Sequence, residues 1–440
     1  MAKEKQSILR KDGVSFVLPF ILITSCFALW GFANDITNPM VKAFSKIFRM
    51  SVTEGAMVQV AFYGGYFAMA FPAAIFIRKY SYKAGILLGL GLYAIGAFLF
   101  FPAKEIGEYY CFLLAYFILT CGLSFLETSA NPYILSMGTE ETSTRRLNLA
   151  QSFNPMGSLL GMYVAMNFIQ AKLSPLSTEE RALLSPEQFD AVKESDLSVL
   201  IAPYLTIGIV IAVMFLVIKF TKMPKNGDQS HGINFGPTLK RIFGIAHYRE
   251  GVIAQFFYVG VQIMSWTFII QYGTRYFMLE GMGERDAEVL SQTYNIIAMI
   301  IFCCSRFVCT FFLRYINAGM LLKVLAIVAG CLVIGVIAFQ NRYGVYCLVG
   351  VSACMSLMFP TIYGIALQGL GDDAKFGAAG LIMAILGGSV LPPLQARIID
   401  MGTVWGYPAV NASFILPLIC FVVVATYGHR TYRRTCRRTS

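Results

Sequence analysis

Long apolar stretches alternate with short polar, charge-bearing segments along the whole chain, and Ile86–Phe101, Leu200–Ile218 and Val324–Phe339 are the clearest of them. A helix crosses the hydrocarbon of a bilayer in about 20 mostly apolar residues at about 1.5 Å each. On that spacing the pattern predicts twelve helices, over 14–44, 54–78, 83–102, 107–136, 146–170, 198–220, 249–278, 287–314, 319–339, 343–368, 374–397 and 406–428. Only helices and closed barrels satisfy their own backbone in lipid. Barrel strands would be about 10 residues long and alternate polar with apolar, which these stretches do not. The first apolar run, within Val14–Gly31, follows Lys3, Lys5, Arg10 and Lys11 as a signal peptide would. It continues into a polar-interrupted helix without a small-residue cleavage site, and is therefore expected to be the first span.

Composition agrees: 57% of residues are hydrophobic and 13% charged, against about 45–50% and about 25% in soluble domains. Mean hydropathy is +0.64. Lys and Arg gather on one side of the expected bundle: the N-terminus, Arg78/Lys79/Lys83, Arg145/Arg146, Lys219–Arg249, Arg314/Lys323, Lys375 and Arg430–Arg438. The positive-inside rule then puts both termini and the central loop in the cytoplasm. The net charge of +11 falls in membrane-flanking groups that suit anionic lipid, and no nucleic-acid partner is expected. The 11 cysteines are scattered, Cys303 and Cys304 excepted, with no metal-binding spacing.

The two halves of the chain echo each other. Phe76-Ile-Arg-Lys-Tyr80 with Ala84-Gly-Ile-Leu-Leu88 parallels Phe312-Leu-Arg-Tyr315 with Ala318-Gly-Met-Leu-Leu322. Asn131-Pro-Tyr133 with Gly138-Thr-Glu-Glu141 parallels Phe359-Pro-Thr361 with Gly371-Asp-Asp373 at a similar offset. Such duplication predicts an all-α membrane protein of two six-helix halves, 1–220 and 247–440, joined by a polar cytoplasmic linker over 221–246. Paired repeats around a midplane site are the architecture of rocking transporters. Gly85/Gly89, Gly157/Gly161 and Gly387-Gly388 suit close helix packing. Pro39, Pro72, Pro132, Pro155, Pro360, Pro392 and Pro393 lie inside spans, where each is expected to kink or unwind its helix, although membrane helices carry extra proline in any case.

Polar residues at bilayer depth are the candidate chemistry. A carboxylate there costs about 2.5–3.5 kcal/mol on insertion scales, and Glu127 lies deep in the fourth span. A carboxyl group among hydrocarbon keeps a proton that it would release to water, which is what a proton-coupling site needs. A structural carboxylate paired with Arg306 of the eighth span is the other reading. Asp35 is a second embedded carboxylate, with Asn34 and Asn38 within about one turn; the alternative is an exposed loop beyond Gly31. Asn148, Gln151, Ser152 and Asn154 continue the polar face on the fifth span, and Gln262, Trp266, Gln271, Tyr272, Asn295, Tyr363 and Gln368 offer an opposite wall. Amides beside aromatic rings suit a sugar, which has polar edges and apolar faces; the rings could equally form interfacial belts. No Gly-rich phosphate loop or GxSxG motif is present, and His231, His247 and His429 are expected in loops or the tail. No enzyme activity, cofactor or metal is expected.

At these residues the chain closely resembles the fucose permeases, in the fucose–galactose–glucose:proton symporter branch of the major facilitator superfamily. The resemblance runs through Ala28-Leu-Trp-Gly31, Ala61-Phe-Tyr-Gly64, Ser81-Tyr-Lys-Ala-Gly85, Leu126-Glu-Thr128, Ala130-Asn-Pro132, Arg146-Leu-Asn-Leu-Ala-Gln151, Ser185-Pro-Glu-Gln188 and Ala254-Gln-Phe256. It implies the twelve-helix major facilitator fold, a bacterial inner-membrane location and symport of L-fucose or a related hexose with a proton. Glucose/galactose or amino-sugar transport, Na⁺ coupling, or a transport-dead sensor are the alternatives. It further implies that Glu127 is the proton-linked glutamate, that Gln151 and Asn154 line the cavity, and that Phe302 and Phe359 occupy aromatic cavity positions. In the first helix the family pattern places Asn and then, three residues on, Asp, where this chain has Asp35 and then Asn38. The expected partners are a small-molecule sugar, a proton and membrane lipid, with a monomer as the working unit.

Overall fold

The computed structural model describes residues 9–11, 14–37, 40–50, 54, 57–170, 172–174, 176, 178–224, 235–404 and 406–439. Its helices are α1 (Val17–Thr37), α2 (Met40–Ile47), α3 (Met57–Lys79), α4 (Tyr82–Phe98), α5 (Phe100–Ile106), α6 (Tyr109–Ser136), α7 (Ser143–Gln151), α8 (Asn154–Val164), α9 (Thr178–Ala182) and α10 (Pro186–Phe220). They continue as α11 (Phe235–Gly244), α12 (Ala246–Leu279), α13 (Glu284–Phe312), α14 (Ala318–Ala338), α15 (Arg342–Met355), α16 (Met358–Leu367), α17 (Ala374–Met383), α18 (Gly387–Asp400), α19 (Ala409–Ala412) and α20 (Ile415–Thr439). Two small antiparallel hairpins are the strands among the described residues, Arg10–Lys11 with Val14–Ser15 and Thr403–Val404 with Tyr407–Pro408.

Eleven helical stretches among the described residues are long and apolar enough to cross a membrane. The fifth expected span, 146–170, is not one helix but three pieces: α7, α8 and a π-helical turn over Ala165–Gln170. The break falls at Ser152 and Phe153, and Pro155 stands in the first turn of α8. Proline has no N–H to give the carbonyl four residues back and its ring crowds that carbonyl. The sequence thus terminates α7 at Gln151. The tenth expected span breaks the same way: α15 ends at Met355, and Pro360 lies just inside α16. The first span continues past Gly31 to Thr37, so Asn34 and Asp35 are helical. His247 and His429, expected in loops or tail, lie within α12 and α20.

The chain forms two compact units. One comprises Leu9–Met137 and Phe153–Ile233, with α4 and α3 packed on α6, α1 on α8, and α10 on α4. Glycine permits these approaches: a Cβ on Gly157 would lie 1.8 Å from the Ala28 carbonyl oxygen, and one on Gly31 would lie 2.1 Å from that of Asn154. The segment before α10 is tied down by a buried ion pair, Arg181 Nη2 to Asp196 Oδ2 at 2.6 Å. The Ser174 amide donates to Asp196 Oδ1 at 2.8 Å, and Arg181 Nε donates to the Leu176 carbonyl at 3.2 Å.

The other unit comprises Gly138–Ser152 and Asn234–Ser440. Here α14 packs on α20 and α15, and α12 packs on α13, α18 and α20. Its core is a continuous apolar cluster that includes Tyr258, Met264, Phe268, Phe302, Met355, Met358 and Ile362. The short helix α11 lies in the stretch expected to be linker; it buries Thr238 and Ile242 one turn apart, and its Arg241 pairs with Asp373 at 2.5 Å.

Candidate functional site

In the first unit, α6 carries Glu127 into the packed interior, where its residue is 6% exposed. The Tyr66 hydroxyl on α3 donates to Glu127 Oε1 at 2.9 Å. The Ser124 hydroxyl, one turn before Glu127, donates to the Tyr66 carbonyl at 3.1 Å, so α3 and α6 are registered at this level by two bonds. Within its own unit, the hydrogen-bond partner of Glu127 is therefore a tyrosine. A neutral donor leaves a carboxylate free to take a proton, whereas a guanidinium would hold it ionised.

Asp35 is half-buried on α1 and is hydrogen-bonded to the Ser158 side chain of α8. Ser158 also lies 3.3 Å from the Gly31 carbonyl, to which it can donate. Its one hydroxyl proton cannot serve both acceptors, so that donation can follow the charge on Asp35. Asn154 Nδ2 donates to the Phe27 carbonyl at 3.2 Å. Asn34 Oδ1 is buried without a hydrogen-bond partner among the described residues, and a buried acceptor left unmet costs about 1–3 kcal/mol unless another group reaches it. Asn38 lies outside the described residues.

In the second unit, Gln262 and Trp266 stand one turn apart on α12, both half-buried. Trp266 Nε1 donates to Ser352 Oγ at 3.2 Å, and its ring meets Phe302 of α13 edge to face at 5.0 Å. Trp266 is thus an interior residue held at both ends rather than a member of an interfacial belt. Phe359 and Tyr363 stack at 6.2 Å along α16, with Tyr258 of α12 at 6.4 Å from Phe359. Tyr363 is fully buried. Gln368 does not join this wall: it is exposed at the end of α16, where its carbonyl meets His247 Nε2 at 2.9 Å. Tyr272 is likewise elsewhere, bonding the Val336 carbonyl at 3.1 Å.

Arg306 on α13 is 3% exposed. Its Nη1 donates to the Gln151 carbonyl at 2.9 Å, its Nε donates to the Ser356 carbonyl, and its guanidinium carbon lies 4.6 Å from the centre of the Phe302 ring. These two carbonyls are the ones that Pro155 and Pro360 leave without an N–H four residues on. One planar fork of donors therefore satisfies both proline-induced breaks, at the ends of α7 and α15, and ties them to the aromatic wall. Alongside, Asn148 Nδ2 donates to Thr361 Oγ1 at 3.1 Å. Among the described residues no carboxylate pairs with Arg306. The sequence could have shown this clamp through the two prolines; for Tyr66 it offered only a tyrosine in an apolar span. No group of three or more His, Cys, Asp or Glu residues that could hold a metal is found among the described residues.

The profile of the family described as Major Facilitator Superfamily matches residues 23–392. An L-fucose-proton symporter of Haemophilus influenzae is 52% identical over 427 residues, 95% of this chain and 97% of the relative. A glucose/galactose transporter of Brucella abortus is 29% identical over 92% of each chain. Among solved structures, that of an E. coli fucose:proton symporter shares 32% identity and a TM-score of 0.85, covering 95% of this chain and 99% of the other.

Proposed function

This chain belongs to the major facilitator superfamily, and on that premise we propose that it is a proton-coupled symporter importing L-fucose or a closely related hexose by alternating access. The observation that carries the substrate is the 52% identity to an L-fucose-proton symporter along nearly the whole chain. Glu127 and Asp35 are the proposed proton carriers, and the buried Glu127 with a tyrosine rather than a cation as partner supports that role. Asn34, Asn38, Gln151 and Asn154 are proposed to bind sugar hydroxyls. Gln262, Trp266, Phe302, Phe359 and Tyr363 are proposed to form the wall against the apolar face of the ring.

In this reading, a proton on the carboxylates and a sugar on the amides together remove the charge and the unmet polar groups that oppose rocking. A proton entering down the membrane potential contributes about 2.3 kcal/mol per 100 mV, plus the pH gradient. The protein is proposed to sit in a bacterial inner membrane with both termini in the cytoplasm, as the charge asymmetry supports, and to work as a monomer.

The test is uptake into proteoliposomes with L-fucose, D-galactose, D-glucose and amino sugars, under imposed pH or Na⁺ gradients. Accumulation of L-fucose driven by an inward proton gradient is expected. Accumulation that ignores the pH gradient and follows Na⁺, or that favours glucose over fucose, would overturn the assignment.

A further inference from the structure

Glu127 and Asp35 stand on different helices, α6 and α1, and tyrosines of α3 lie near both. Tyr66 donates to Glu127 Oε1 at 2.9 Å. Tyr63 is three residues earlier, on the same face of the helix, and lies within electrostatic reach of Asp35. Phe62 packs against both rings at 5.7 Å. Tyr66 and Glu127 are thus bonded directly across two helices, and Tyr63 and Asp35 belong to the same compact unit.

We propose that Tyr66 is a positioning residue for the proton site, donating to Glu127 while it is ionised, and that the Tyr63–Tyr66 step couples the charge on Glu127 to that on Asp35. An ionised carboxylate only accepts hydrogen bonds, whereas a protonated one has a proton of its own to give. When the proton arrives at Glu127, the bond to Tyr66 loses its charge assistance, and the phenol can turn to accept. Apart from the O–H bond that forms as the Glu127 carboxylate takes up the incoming proton, only hydrogen bonds are exchanged. Because all four groups belong to one unit, the coupling needs nothing from the other and can persist through a rigid-body cycle. The titratable groups facing Tyr66 are Glu127 from α6, Tyr93 from α4 and Tyr63 from α3 itself, with Asp35 of α1 facing Tyr63. Tyr93 is engaged elsewhere, donating to the Leu29 carbonyl at 3.1 Å.

This inference deepens the proton-coupled reading and rests on it for its physiological meaning, but it is measurable without transport. Infrared difference spectroscopy of the reconstituted protein follows the carboxyl C=O band against pH, with Glu127→Gln identifying the band. A hydrogen bond to a charged group is lost in Tyr66→Phe, so the midpoint of the band is expected to move to higher pH by about one to two units, ten- to a hundredfold in proton affinity. The pH profile of uptake should move with it. Asp35→Asn removes a negative charge from the far end and is expected to move the same midpoint to lower pH by a smaller amount. A Tyr66→Phe protein that titrates with the parent, or an Asp35→Asn protein whose Glu127 band does not move, overturns the proposal. Should Tyr66→Phe not fold, the Asp35→Asn band decides alone. Band shifts in both variants, together with a parent that shows no sugar-coupled proton uptake, defeat the transport reading and leave this one standing.

Discussion

Replacing Arg306 by lysine tests whether one side chain closes both proline breaks. Arg306→Lys keeps the buried positive charge, so the cost of desolvating it remains, but a compact ammonium cannot reproduce the forked donation to Gln151 and Ser356 together with the stacking on Phe302. At least one carbonyl then loses a charged donor, at about 1.5–3 kcal/mol, and the cation–π contact contributes about 0.5–2 kcal/mol more. The expected loss is about 2–5 kcal/mol, which at about 2–4 °C per kcal/mol is a fall of roughly 4–20 °C in apparent melting temperature. The assay is thermal unfolding in detergent at a fixed scan rate, because unfolding of such a protein is governed by a rate. The second arm is Pro155→Ala, which returns an N–H four residues after Gln151 and should cost less in the lysine background than in the parent, with a coupling of about 0.5–3 kcal/mol. A lysine variant melting within about 1 °C of the parent, or a Pro155→Ala effect identical in both backgrounds, refutes the clamp.

Three further outcomes are expected. Glu127→Gln should keep sugar counterflow and lose proton-driven accumulation, measured with labelled sugar in proteoliposomes; accumulation that survives makes Glu127 structural. Asp196→Asn leaves Arg181 buried without its countercharge, at roughly 3–5 kcal/mol, and should expose the segment before α10 to limited proteolysis that spares the parent. Glu280 at the end of α12 takes hydrogen bonds from Arg342 Nε at 3.0 and 3.2 Å, and these hold its carboxyl below the ordinary glutamate range. A lowered carboxyl stabilises the fold above its unfolded value and loses that contribution as pH falls through the folded one. Arg342→Gln should therefore flatten the acid limb of the stability curve below about pH 4.5, a small and salt-sensitive effect because the pair is exposed; an unchanged acid limb would contradict it.

The amino-acid sequence by itself determined the spans, because the apolar lengths are set by the thickness of hydrocarbon and need no tertiary partner. It also marked where a helix can fail, since Pro155 and Pro360 remove an N–H locally, but Pro72 and Pro132 do the same inside continuous helices, so the fold decides which proline becomes a break. The embedded carboxylates were legible because their cost depends on depth along a span. Partners were not legible. Which group Glu127 meets depends on which residue of α3 faces α6, and that rotation is fixed by packing across helices, by glycines such as Gly65 of α3, whose added Cβ would lie 2.9 Å from the Phe117 carbonyl oxygen of α6, and by bonds such as Ser124 to Tyr66. The same holds for Gln368, apolar-flanked in sequence yet exposed at a helix end, and for Arg306, whose two carbonyls are about 50 and 155 positions away along the chain. Local sequence places a polar group at a depth in the membrane; only the fold decides which group it meets there.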